Sequence, residues 1–200
     1  IRRLPSRLKG PAGAAAALAV AVMLGVGGYI QYNTHVLNEW RTGLDSERWA
    51  AEYEKTLFPF MSQPQPRITD VRLDVDLFPK ESRVVTRGSY VIENKTGAPL
   101  KEVHVSWPRQ LEQRSFLGAE VTAELQMRSL DVQGAKLTRE YPDLHYRIYT
   151  FDKPMAPGQR AEIRFETLRE QRGFQNNNND TNVVENGTFL NNFLLTPILG

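Results

Sequence analysis

Arg67-Ile68-Thr69-Asp70-Val71-Arg72-Leu73-Asp74-Val75-Asp76-Leu77-Phe78 is the stretch on which the fold turns. Val71, Leu73, Val75 and Leu77 alternate with Arg72, Asp74 and Asp76, a period of two that predicts a strand with one buried and one wet face. The pattern recurs at Tyr90 and Ile92, at Val103, Val105 and Trp107, at Val121, Ala123, Leu125 and Met127, and at Tyr146, Ile148, Ile163 and Phe165. Turn chemistry separates these runs: Pro79-Lys80-Glu81-Ser82, Asn94-Lys95-Thr96-Gly97, Gln133-Gly134 and Pro154-Met155-Ala156-Pro157-Gly158. About seven short antiparallel strands at this spacing predict a mainly β protein with a sandwich or saddle-like sheet. No βαβ rhythm is present, so a Rossmann crevice and a phosphate loop are excluded.

Upstream of Arg67 the period is helical. Met61-Ser62-Gln63-Pro64-Gln65-Pro66 cannot continue a helix and reads as an extended connector. Before it, Glu47 to Leu57 predicts a short amphipathic helix capped by Asp45 or Ser46, with Trp49, Tyr53 and Leu57 on one face.

Further back, no Asp, Glu, Lys or Arg occurs between Lys9 and Glu39. Ala12 to Ile30 is almost wholly Ala, Val, Leu, Met and Gly; about 19 residues at 1.5 Å rise make roughly 30 Å, the thickness of a bilayer's hydrocarbon layer. A cleaved secretory signal has a shorter apolar core and a small-x-small cleavage site, which Gly28-Tyr29-Ile30-Gln31-Tyr32 lacks. A soluble helix apolar on every face would need a large protein around it. A retained transmembrane helix is therefore expected, and the lipid bilayer is the first partner. Arg2, Arg3, Arg7 and Lys9 precede the span and only Arg41 closely follows it, so the positive-inside bias puts the N-terminus in the cytoplasm and the body outside. Tyr29, Tyr32 and Trp40 fall where the helix leaves the lipid, the place favoured by amphipathic rings. Gly13, Ala17, Ala21 and Gly25 form a stripe of small residues. It fits close approach of other transmembrane helices, and equally the chance pattern of an Ala-rich segment. A chain that opens at Ile1 reads as part of something longer.

The expected organisation is a basic cytoplasmic tail over 1–11, a transmembrane helix over 12–32, and a juxtamembrane helix with linker over 33–66. An antiparallel β domain over 67–170 and an Asn-rich loop with a terminal strand over 171–200 complete it.

Composition narrows the function. Net charge is +2 from 25 basic and 23 acidic residues, and four of the basic ones precede the span; the remainder leans acidic, and nucleic acid is not an expected partner. With no Cys, disulfides and thiolate chemistry are excluded. The three histidines, His35, His104 and His145, form no His-Glu-x-x-His, the spacing that puts two imidazoles on one helix face beside a water-activating Glu. His104 shares parity with Glu102 and Ser106, and His145 with Arg147, so both are expected on wet strand faces. No Gly-x-Ser-x-Gly elbow supports a nucleophilic serine. Asp74 and Asp76 read as solvent-face charges, and Asn176 to Asn182 as a polar loop too poor in carboxylates for calcium. Asn94-Lys95-Thr96, Asn179-Asp180-Thr181 and Asn186-Gly187-Thr188 match the glycosylation sequon. No catalytic, metal or cofactor residue is expected.

A family resemblance then emerges from particular strings. Val71-x-Leu73-Asp74-Val75-Asp76-Leu77-x-Pro79, Gly88-x-Tyr90-x-Ile92-Glu93-Asn94-Lys95-Thr96-Gly97, Val103-x-Val105, Pro157-Gly158-Gln159 and Val183-Val184-Glu185-Asn186-Gly187-Thr188-Phe189 resemble the N-terminal β domain of aminopeptidase N-type zinc peptidases. With Tyr32-Asn33-Thr34 and Leu37-Asn38, the likeness covers roughly residues 30 to 200 and is nearest a bacterial subgroup in which this module follows the last membrane helix of an ABC-transporter permease. The resemblance implies a saddle-shaped domain packed against a downstream thermolysin-like catalytic domain, with zinc held only there. The signatures Gly-x-Met-Glu-Asn and His-Glu-x-x-His lie beyond this chain, and Leu194-Leu195-Thr196-Pro197-Ile198-Leu199-Gly200 departs from the family's Leu-Pro-Ser-Ile-Gly. The expected product is a non-catalytic scaffold, tethered to the cell inner membrane and facing the periplasm. The other reading is a single-pass envelope protein whose β-sandwich binds another protein, with no enzyme module.

Overall fold

The computed structural model describes residues 10–108, 119–121, 124–173 and 182–200. Helix α1 (Pro11–Tyr32) continues into a π-helical turn, Asn33–Leu37. Pro11 opens it, its missing N–H costing nothing in a first turn. A short strand β1 (Glu39–Arg41) leads to helix α2 (Gly43–Leu57). The cap of α2 is Thr42, not Asp45 or Ser46: the Thr42 hydroxyl accepts from the Asp45 N–H at 3.2 Å and the Asp45 carboxylate accepts the Thr42 N–H at 3.1 Å. That reciprocal pair begins the helix four residues earlier than the apolar stripe alone suggests. A 3₁₀ turn, Phe58–Phe60, ends it.

The rest is mainly β. The strands are β2 (Arg67–Phe78), β3 (Arg83–Glu93), β4 (Leu100–Ser106), β5 (Ala119–Val121), β6 (Leu125–Val132) and β7 (Ala135–Tyr141). They are followed by β8 (Tyr146–Met155), β9 (Arg160–Glu170), β10 (Val183–Val184), β11 (Gly187–Thr188) and β12 (Ile198–Leu199). All pairings are antiparallel. One four-stranded sheet runs β2-β3-β9-β6 and a second runs β12-β4-β8-β7, with β1 paired to β5 and β10 to β11. The strand expected over Val121 to Met127 is two elements, β5 and β6, in different sheets; Ala123 lies outside the described residues. Strand β7 escaped the periodicity because it is an edge strand, wet on both faces, in which Leu137 is the only large aliphatic. The glycine turn at Gln133-Gly134 joins β6 to β7 with Gly134 at φ 74°, while β8 runs through Pro154 and Met155 before it turns.

Register shows which faces meet. Val71 lies opposite Tyr90, Leu73 opposite Gly88, Val75 opposite Thr86 and Leu77 opposite Val84, and residues directly opposite share a face. Tyr90, Ile92, Ile163 and Phe165 of the first sheet pack with Val103, Val105, Tyr149 and Phe151 of the second in one hydrophobic core. Gly88 sits inside that core because it lacks a side chain: a Cβ there would lie 2.6 Å from Phe165 Cε2 and 2.8 Å from Leu73 Cδ2.

Candidate functional site

The apolar alternation of β2 names the inner face correctly, but that face is not covered. Val71, Leu73 and Leu77 are 52%, 41% and 45% exposed, against the expectation of burial. Strand β2 is the edge of its sheet, one strand outside the β3 and β9 residues that form the core. The C-terminal segment partly closes the gap. Tyr90 Oη donates to the Pro197 carbonyl at 3.0 Å and Thr167 Oγ1 to the Leu195 carbonyl at 2.6 Å. What remains is an apolar groove of about 430 Å³ between Ile68, Val71 and Leu73 on one wall and Phe193, Pro197 and Ile198 on the other. On the opposite face, Asp76 pairs with Arg87 at 2.8 Å, as expected of solvent charges.

The second sheet behaves in the reverse way. His104 is 1% exposed, not wet. Its strand alternates as read, but α2 and the 3₁₀ turn lie across that face: Leu57 is buried with Leu144, Tyr146 and Ile148, and Trp49, Phe60 and Tyr141 pack against them. Trp49 Nε1 donates to the Asp143 carbonyl at 2.7 Å. Within this layer Tyr146 Oη lies 2.7 Å from His104 Nδ1, Glu102 Oε2 lies 3.5 Å from His104 Nε2, and Arg139 holds Glu102 at 3.2 Å. The Phe60 ring meets the His104 edge at 5.3 Å between centroids and stacks on Tyr146 at 6.2 Å. Burial pushes the His104 imidazole below its ordinary range, and burial with neighbouring Tyr53 and Tyr141 pushes the Tyr146 hydroxyl up to about 12. His145 also leaves the strand: at φ 52° it ends a 3₁₀ turn, stacks on Trp107 at 5.3 Å and faces Glu124 at 3.6 Å.

The anchor residues divide. Arg2, Arg3, Arg7 and Lys9 lie outside the described residues. Pro11–Leu37 is one helical run long and apolar enough to cross a membrane, with mean hydropathy 1.9 over its most apolar 18 residues. Most of its apolar side chains are exposed, Leu24 at 66%, and Tyr29 and Tyr32 are exposed near its end, while Asn33 and Thr34 are buried. Trp40 lies in β1 opposite Glu120. Along the stripe of Gly13, Ala17, Ala21 and Gly25, open space surrounds Gly25. The helix end is tied to the β domain, for Asn38 Nδ2 donates to the Arg172 carbonyl at 3.0 Å, and a Cβ on Gly173 would overlap the Asn33 carboxamide.

Among the described residues no group of His, Asp and Glu is arranged to hold a metal. Of the sequons, Asn94 is buried, its amide donating to the carbonyls of Met155 at 2.7 Å and Ala98 at 2.9 Å; Asn186 is exposed in the β10–β11 turn, and Asn179, with Asn176 to Asp180, is outside the described residues. Comparison with protein-family models and with curated proteins finds no match.

Proposed function

We propose that this chain is a membrane-tethered, extracytoplasmic β scaffold that seats another protein domain on the open face of β2. The observation that carries the reading is that exposed inner face, Val71, Leu73 and Leu77, on a sheet whose remaining strands are covered. Monomeric proteins bury such contiguous apolar surface unless something docks on it. The two sheets, sharing one core, are read as a sandwich, and α1, whose apolar side chains are mostly exposed, as its inner-membrane anchor, N-terminus in the cytoplasm. The likeness to aminopeptidase N-type modules suggests which domain docks: a downstream zinc peptidase domain in a permease-linked protein, this β domain holding no zinc itself.

Two measurements test it. Protease added to intact spheroplasts should degrade the β domain, and protection there with loss only on lysis would refute the orientation. Val71→Asp with Leu73→Asp should leave the fold intact, because both sites are solvent-exposed, yet abolish co-purification of the docked domain. Undiminished co-purification would refute the seat. If a partner protein from elsewhere docks instead, the envelope-protein reading holds, because the same open face serves it.

A further inference from the structure

His104 is where three segments meet on β4. Its N–H donates to Gln65 Oε1 of the connector at 2.9 Å, its carbonyl accepts the Gly200 N–H at 3.0 Å, and its ring lies between Phe60 and Tyr146. In the neutral state the arrangement is self-consistent. Tyr146 is un-ionised and donates to Nδ1, leaving the Nε2 proton toward Glu102. A second proton on the ring disturbs this: Nδ1 becomes a donor, the Tyr146 hydroxyl must turn round to accept from it, and a cation sits in a buried aromatic pocket. The groups facing His104 compensate only in part. Glu102 on β4 favours the charged ring but is shared with Arg139 on β7, which opposes the new charge; Tyr141 on β7 and Tyr53 on α2 bring phenols and no carboxylate, and Glu54 of α2 is exposed on the rim of the adjoining cavity.

We propose that His104 is a pH-sensitive latch: neutral, it clamps α2 and the Phe58–Pro66 connector onto the outer face of the second sheet, and protonated, it lets that arm lift away. The arm is one tie between α1 and the β domain, beside the Asn38–Arg172 bond and the β1–β5 pairing, so its release leaves fewer points at which the domain is held to α1. The latch does not depend on which domain docks on β2.

The sign follows from the depressed imidazole. Docked His104 takes up a proton only below 6.5, the ordinary value that the solvated ring regains when the arm lifts. Between those two points the lifted state gains about tenfold in population per pH unit, and the gain then levels off. Amide hydrogen exchange on the full chain in detergent micelles, corrected for intrinsic rates, reads this directly. Protection over residues 49–61 should be constant above pH 6.5 and fall roughly tenfold per unit below it, while β3 and β9 amides remain more strongly protected than the arm at every pH. His104→Asn, which still accepts from Tyr146 but cannot be protonated, should flatten the fall. The docked titration point of His104 is read from its ring-proton resonances. Arm protection that stays constant while the His104 resonance titrates would overturn the latch. So would an equal fall in His104→Asn, or an arm no less protected than β3 and β9, which would mean that it opens only with the whole domain. Should His104→Asn fail to fold, His104→Gln, which likewise cannot be protonated, takes its place, and a fall as steep as wild type's would overturn the latch.

Discussion

Replacing Gly88 by alanine should destabilise this protein, although the same change in an ordinary strand stabilises it. In general glycine in a strand costs about 0.5–1 kcal/mol relative to alanine, through the freedom it loses on folding. At Gly88 the added methyl would stand 2.6 Å from Phe165 Cε2 and 2.8 Å from Leu73 Cδ2, where about 3.5–4 Å is the comfortable separation for carbon. Leu73 is 41% exposed and can swing aside, whereas Phe165 is 3% exposed and already packs on Tyr90 at 4.8 Å between centroids. The ring must therefore move about 1 Å into a filled core, an overpacking that costs about 1–3 kcal/mol. Net of the backbone gain, about 1–2 kcal/mol is lost, a fall in Tm of about 2–8 °C. Urea and thermal unfolding of the full chain in micelles measure it. The decisive variant is Gly88→Ala with Phe165→Leu: the smaller side chain makes room for the methyl, so the double change should cost at least about 1 kcal/mol less than the sum of the singles. A stabilised Gly88→Ala, or additivity in the double variant, would refute the packing argument.

Three further outcomes are expected. Asn94→Ala should cost about 2–4 kcal/mol by chemical denaturation, because it removes the amide donor to the buried Met155 carbonyl, one of two donors to the Ala98 carbonyl, and the acceptor of the Thr96 N–H; expression in a glycosylating host should leave Asn94 bare by mass spectrometry. Thr42→Ala should cost about 1 kcal/mol by removing the α2 cap, visible as faster amide exchange at Asp45 and Ser46 before any change in β3. Global stability should also decline as pH falls from 6.5, since the unfolded chain protonates His104 before the folded one does. A His104→Asn variant should lose that component of the acid sensitivity in urea titrations at stepped pH.

Two strands show how far pattern reading reaches. In β2 and in β4 the alternation assigned every side chain to the correct face of its strand, because the period of two is a property of the extended backbone. What alternation cannot report is whether a face has a cover. Leu73 was expected to be buried and is open, because β2 is an edge strand beyond the reach of the facing sheet; His104 was expected to be wet and is buried, because a helix that ends at Leu57, far upstream in sequence, folds over it. The cap at Thr42 was missed for a local reason. The apolar stripe of α2 starts at Trp49, and the one apolar residue of the first turn, Leu44, lies off that stripe and is exposed, so only the Thr-x-x-Asp spacing marks the start.

By itself the sequence determined the type and order of the main elements: a long uniformly apolar helix, a short capped one, then alternating strands broken at Gly and Pro. Those follow from short-range sterics and solubility, which each residue carries with it. Only tertiary packing decided which strand became an edge, which wet-looking face received the helix, and that Gly88 must stay bare beneath Phe165. Those outcomes depend on surfaces far apart in the chain competing to leave water, and the winner is set by the whole set of contacts and not by any one segment.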